Sequence, residues 1–213
     1  MGGRSSRTKG CAFEREIAQR LRPYDKDARR NVSETQRSSV DIVTKLPFGI
    51  QCKRMCEWPD PFRVWNQALE GVQKAKMTGC MPIGIVKVDY EPRTVVMFYK
   101  EHFKIFFCDL IKRKAFKAER RRFIPAKGGG GGPKGLKAKK FLKRKIKAYK
   151  VNPTTLLCEA FDKCLPGEEP LAIWSNLHPE SRKVRTLYCV DLELFLNQIG
   201  KVYGKEENRS YNL

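Results

Sequence analysis

The chain has 213 residues, with 44 Lys and Arg against 23 Asp and Glu, and a formal charge of +21. Hydrophobic residues make up 41%, enough for at least one real core in a chain of this length. No apolar run approaches the ~18 residues of a membrane-spanning helix, and no secretory hydrophobic segment opens the sequence. A cytoplasmic protein is therefore expected, in the host cytoplasm if the source is viral. So large a positive charge points to an anionic polymer as partner, with an anionic membrane surface as the competing reading. The eight cysteines show no C-x₂-C spacing and stand beside two histidines. That argues against structural zinc and for reduced, mostly buried thiols.

In chain order, residues 9–22 (KGCAFEREIAQRLR) put Phe13, Ile17 and Leu21 on one helical stripe, closed by Pro23. A polar stretch, 24–38, follows. Strands are expected over 40–44 and 49–54, either side of the Pro47-Phe48-Gly49 turn. Residues 62–77 read as a helix, 81–89 and 94–99 as strands, and EHFKIFF as a helix. This α-β-β-α-β-β-α unit, residues 1–107, is the first expected domain.

Residues 108–150 hold 17 Lys and Arg against two acids, Asp109 and Glu119, a net of +15. GGGGGP at 128–133 interrupts them. Residues 108–136 are read as a basic, Gly-rich connector and 137–213 as a smaller α+β unit. In that unit 153–164 is helical, 170–176 and 184–190 are strands, and DLELFLNQI is a helix. The layout resembles part of the first domain, so a degenerate half-repeat, with FLKRKIK standing where GIQCKR stands, is the second reading of this small unit. An unrelated small α+β unit is the first, since hairpin-plus-helix layouts are common.

The chemistry concentrates in SSVDIVTKLPFGIQCKR, residues 38–54. Side chains alternate along a strand, so Gln51 and Lys53 share a face while Ile50 and Cys52 take the other. A hairpin brings Asp41 beside them. An acid with a second oxygen ligand suits Mg²⁺, and a neighbouring lysine can orient a water and screen a developing phosphorane. This is the equipment of metal-assisted phosphodiester hydrolysis.

D-x₉-Q-x-K after a helix bearing G-x-x-x-E-R-E resembles the PD-(D/E)XK nuclease superfamily. K-G-x-x-x-E-R-E at 9–16, an arginine, S-x-D and an I-Q-C-K strand resemble most the archaeal and viral Holliday junction resolvases, over roughly residues 5–105. The resemblance implies a restriction-endonuclease-like α/β core, a central mixed sheet flanked by helices. It implies a homodimer that nicks branched DNA with Mg²⁺ or Mn²⁺. Asp41 is then the metal-binding acid, Gln51 the second ligand, Lys53 the catalytic lysine, and Glu14 a further metal or water ligand. Glu16 is the next candidate after Glu14. Arg30, with Arg29 competing, matches the arginine on the scissile phosphate, and Ser39 an active-loop serine. Val40 replaces the usual proline, and Gln51 replaces the usual glutamate, removing one negative charge. A glutamine in this position also occurs in Mrr-like restriction endonucleases. A repair or restriction nuclease on duplex or flap DNA is therefore an alternative, as is a catalytically weak nucleic-acid-binding protein on a nuclease scaffold.

Lys112, Arg113, Lys114, Arg120, Arg121, Arg122, Lys143, Arg144 and Lys145 are the expected backbone-phosphate contacts. Phe116, Phe123 and Phe141 lie among these charges and read as core or as stacking platforms. Trp58 and Trp65 read as core, and Gln67 chiefly as a solvated helix face.

Overall fold

The computed structural model describes residues 3–32, 40–123, 152–177 and 184–204. Helix α1 (Gly3–Leu21) leads into two short strands, β1 (Arg29–Arg30) and β2 (Ile42–Val43). Then come β3 (Phe48–Met55), α2 (Pro61–Lys74), β4 (Met81–Val88), β5 (Thr94–Tyr99), α3 (Lys100–Phe106) and α4 (Cys108–Lys112). The second half contributes β6 (Phe116–Phe123), α5 (Pro153–Phe161), β7 (Glu169–Leu177), β8 (Val184–Asp191) and α6 (Leu192–Val202). The protein is thus α/β, with one mixed sheet flanked by helices.

The eight described strands form one sheet in the order β1-β2-β3-β4-β5-β8-β7-β6. β3 and β4 run parallel, β4 and β5 antiparallel. From the far edge the pattern is the same: β6 and β7 parallel, β7 and β8 antiparallel. The halves meet where β5 pairs antiparallel with β8. Strand alternation sorts the core into two layers. Phe48, Ile50, Val96, Phe98 and Val190 face α1, α3, α4 and α6, where they pack with Phe13, Phe103, Phe107 and Phe195. Val86, Val95, Met97, Ala172 and Cys189 face α2 and α5, packing with Phe62, Trp65, Leu156 and Leu157.

Two features differ from the sequence-based expectation. Residues 108–123 are not irregular connector: they form α4 and the edge strand β6. FKAERRRF reads as a charge run because an edge strand carries charge that discourages pairing with another chain. Phe116, one of its apolar anchors, packs 5.3 Å from Phe103 and 5.8 Å from Phe107, so its ring belongs to the core and not to a stacking platform. The strand that stands opposite β7, as β3 stands opposite β4, is therefore 116–123. FLKRKIK, the segment expected there, lies outside the described residues, as do Phe141, Lys143, Arg144, Lys145 and Ser39. The strand expected over 40–44 shrinks to Ile42–Val43, since Val40 and Asp41 precede the ladder as loop.

Local chemistry fixes the frame around the site. α2 starts at Asp60, whose side chain accepts the Phe62 N–H, with Pro61 in the first turn, where its missing donor costs nothing. α2 lies so close on β3 that a Cβ on Gly49 would meet Val72 Cγ2 at 2.0 Å. Asp25, buried after α1, accepts from Thr44 Oγ1 and the Lys45 N–H, each at 2.6 Å. It ties the end of α1 to the loop between β2 and β3. Trp65 stacks on Tyr99 at 5.0 Å, and Trp58 donates Nε1–H to Thr154 Oγ1 at 3.2 Å, so both tryptophans serve packing.

Candidate active site

Phe48, Ile50 and Cys52 of β3 are buried in the aromatic layer. Alternation turns Gly49, Gln51 and Lys53 toward α2. The Asp41 N–H donates to Ile50 O at 2.8 Å, and its carboxylate Oδ2 accepts the Cys52 N–H at 2.7 Å. Gln51, buried, donates its Nε2–H to the same Oδ2. Asp41 thus brackets the middle of β3 with its backbone and its side chain.

Arg30 on β1 pairs with Ile42, which brings it over Asp41. Its Nε donates to Glu14 Oε2 at 2.5 Å. Glu14 follows Phe13 on α1, at the border of the buried stripe formed by Phe13, Ile17 and Leu21. Asn31 completes the wall: its N–H donates to Asp41 O and its Nδ2–H to Val40 O.

Glu14, Arg30, Asp41, Gln51 and Lys53 line one cleft of about 420 Å³. The structure thus brings together five residues that are scattered over 40 positions of chain. Arg29 is exposed and donates to Asp27 O at 3.4 Å, so of this pair it is Arg30 that lines the cleft. Glu16 is exposed on α1 and does not line it. Lys112, Arg113 and Lys114 are exposed at α4, on the opposite side of the sheet from α2, and Arg120 is exposed on β6. The structure does not bring these cations to the cleft. Sequence reasoning missed Arg7, Cys11, Asn31, Glu70 and Lys74, and it read Gln67 as solvated; all six line the cleft. Gln67, Glu70 and Lys74 share one stripe of α2, a spacing that does not by itself tell a cleft from solvent.

Electrostatics at the site are set by crowding. Burial pushes the Asp41 carboxyl up to about 6, and the Glu14 charge adds to the rise. The Cys52 N–H, Lys53 and Arg30 pull in the opposite direction. The hydrogen bond to Glu14 raises Arg30 and holds it charged. Burial also pushes the Cys52 thiol well up, so it is an inert packing group.

For a hard cation the donor atoms are of the right kind: oxygens on Asp41, Gln51 and Glu14. Their charge is short. Gln51 is neutral, Glu14 is engaged by Arg30, and among the described residues no group of three or more His, Cys, Asp or Glu converges as a metal cluster. A carboxyl raised by burial, and further by an acidic neighbour, is nonetheless what a divalent cation would relieve. Asp41, Gln51 and Glu14 are the residues that could hold such a cation.

No protein-family model, no curated protein and no solved structure matches the chain. Among the described residues no helix is long and apolar enough to cross a membrane.

Proposed function

We propose that the chain is a metal-dependent endonuclease of the PD-(D/E)XK kind, acting on DNA and preferentially on branched DNA. The observation that carries this reading is the convergence of Asp41, Gln51 and Lys53 on one face of a hairpin, with Arg30 aimed over them by Glu14. The formal charge of +21 supports a polyanionic substrate.

Asp41 and Gln51, with Glu14 beyond them, would hold the cation, which supplies Lewis-acid activation of the scissile phosphate and of a bound water. Arg30 binds a non-bridging phosphate oxygen and keeps the phosphate seated in the cleft. Lys53 orients the attacking water and offsets charge that builds on the phosphorane. The water oxygen forms the new P–O bond, one P–O ester bond breaks, and the water's proton ends on the departing sugar hydroxyl. Gln67 and Lys74 on α2 border the path that the DNA backbone would follow.

The experiment is cleavage of a labelled four-way junction and a matched linear duplex in Mg²⁺ and in Mn²⁺, beside Asp41→Ala. Junction cutting that is lost in the variant supports the reading. Cutting of both substrates favours a general repair or restriction nuclease. A second reading, a DNA-binding protein that does not cut, is favoured by one observation: Gln51 supplies an amide where a second carboxylate would complete the ligand set. Gln51→Glu separates the two. In a metal-limited nuclease it should lower the Mg²⁺ concentration needed for half-maximal cutting by about tenfold, whereas a pure binder stays inactive.

A further inference from the structure

The two halves of the sheet correspond in detail. Asp60-Pro61 opens α2 and Asn152-Pro153 opens α5, and in each case the first residue's side chain caps the helix. Gly79, with φ of 81°, precedes β4, and Gly167, with φ of 86°, precedes β7. Pro82 is the second residue of β4 and Pro170 the second of β7. Tyr99 and Asp191 join the last strand of each half to its helix with φ and ψ of −69° and 150° in one, −69° and 148° in the other. Phe103 and Phe195 then occupy the same place on α3 and α6.

The seam obeys the same relation. In this correspondence Val95 matches Leu187, and Tyr99 matches Asp191. Val95 pairs with Asp191, and Tyr99 pairs with Leu187. Exchanging the halves therefore maps the ladder onto itself, about the Met97–Cys189 pair. This is the self-complementary register of a two-fold interface, formed here within one chain.

The chemistry does not follow the symmetry. Gln51 stands opposite Gly84 on β4, and its counterpart Glu119 stands opposite Ala172 on β7. Glu119 Oε1 is engaged by Lys163 Nζ at 2.6 Å. β2 and β1 continue the sheet beyond β3 and carry Asp41 and Arg30 to the cleft; among the described residues no strand lies beyond β6. Among the described residues the second half thus has the scaffold of the site without a counterpart of the hairpin that delivers Asp41 and Arg30.

We propose that the chain is a tandem duplication folded as its own dimer, with one cutting half and one half that cannot cut, so that each encounter with DNA yields one nick. The surface through which two copies of the first half would join, the edge of β5, is filled by β8 of the same chain. The single-nick statement rests on the nuclease reading above; the self-dimer does not.

Three readouts test this. Sedimentation of the wild-type protein, alone and bound to a junction, should give one chain of 24.6 kDa per complex. Oxidised Met97→Cys should link position 97 to Cys189 within one chain, found by peptide mapping at monomer mass. On a supercoiled plasmid bearing a cruciform, limiting enzyme should build up nicked circles, with linear product appearing only later. Two chains per complex, a 97–189 link at dimer mass, or linear product without a nicked precursor each overturns the proposal. A single-chain mass with no nicking in either metal upholds the self-dimer and overturns the nuclease reading.

Discussion

The sheet has two outer thirds built alike and equipped differently. On one side β3 is covered by a short hairpin that delivers Asp41 and Arg30, and its α2 face is polar at Gln51 and Lys53. On the other side β6 is the outermost of the described strands, and its corresponding polar residue, Glu119, is engaged by Lys163. A strand, a parallel neighbour and a covering helix are therefore not enough to make a site. What distinguishes the two is one added hairpin, through which an acid is held by the Cys52 and Gln51 N–H groups and partly withdrawn from water. The lesson is that scaffold and chemistry are separable, and that chemistry resides in the few groups a fold delivers to it.

The largest expected difference between the two sides is in rate. Asp41→Ala and Lys53→Ala should each lower single-turnover nicking by at least about 10³-fold, the loss expected for removing an electrostatic group at a phosphoryl centre. Glu119→Ala, in the corresponding place on β6, should stay within about twofold. Equal losses on the two sides would show that the second half takes part in the chemistry.

Stability should separate them next. The Asp41 carboxyl rises from its ordinary 3.8 to about 6 in the folded protein. A raised carboxyl favours the folded state fully below the unfolded value and ceases to do so as pH climbs through the folded one. The wild type should thus lose about 2–3 kcal/mol between pH 4 and pH 8 from this group. Asp41→Asn should be more stable than the wild type by that amount at pH 8 and show no gain at pH 4, in denaturant melts. Mg²⁺ should stabilise the wild type at pH 8 and leave Asp41→Asn unmoved.

A packing change sharpens the contrast further. Gly49→Val would drive its side chain into Val72 on α2 and should cost about 1–3 kcal/mol by overpacking, with nicking falling further than stability alone explains. The smallest effect tests likeness in place of difference. Gly79→Ala and Gly167→Ala both force an L-residue into the left-handed region and should each cost about 1–2 kcal/mol. Closely matched costs are expected of corresponding turns; a cost at one glycine alone would weaken the correspondence.

Much of this organisation was legible in residue patterns. The stripe of Phe13, Ile17 and Leu21 marks α1, and TVVMFY coincides with β5 from its first residue to its last. The pairing of Asp41 with Gln51 and Lys53 follows from strand alternation and one turn, both local properties. β6 was hidden because edge strands use charge against aggregation, so FKAERRRF looks like the run of cations around it. The continuity of the sheet was hidden for a different reason. The partnership of β5 with β8 joins residues 88 to 96 positions apart, and no local pattern encodes a register of that kind. Arg7, Glu70 and Lys74 escaped because a polar residue facing a cleft and one facing solvent have the same spacing on a helix.

The peptide unit between Gln51 and Cys52 ties these layers together. Its N–H holds the Asp41 carboxylate on one side of β3, while the Cys52 side chain on the other side is wedged into the aromatic layer with Phe13 and Ile17. The strand thus acts as a lever with its short arm in the chemistry and its long arm in the core. Trimming Cys52 to Ala would touch neither substrate nor ligand, yet the space opened behind it would let the amide tilt and loosen the grip on Asp41. Variation in the buried layer can therefore tune the acid from behind, through a backbone that no reagent in the cleft ever contacts.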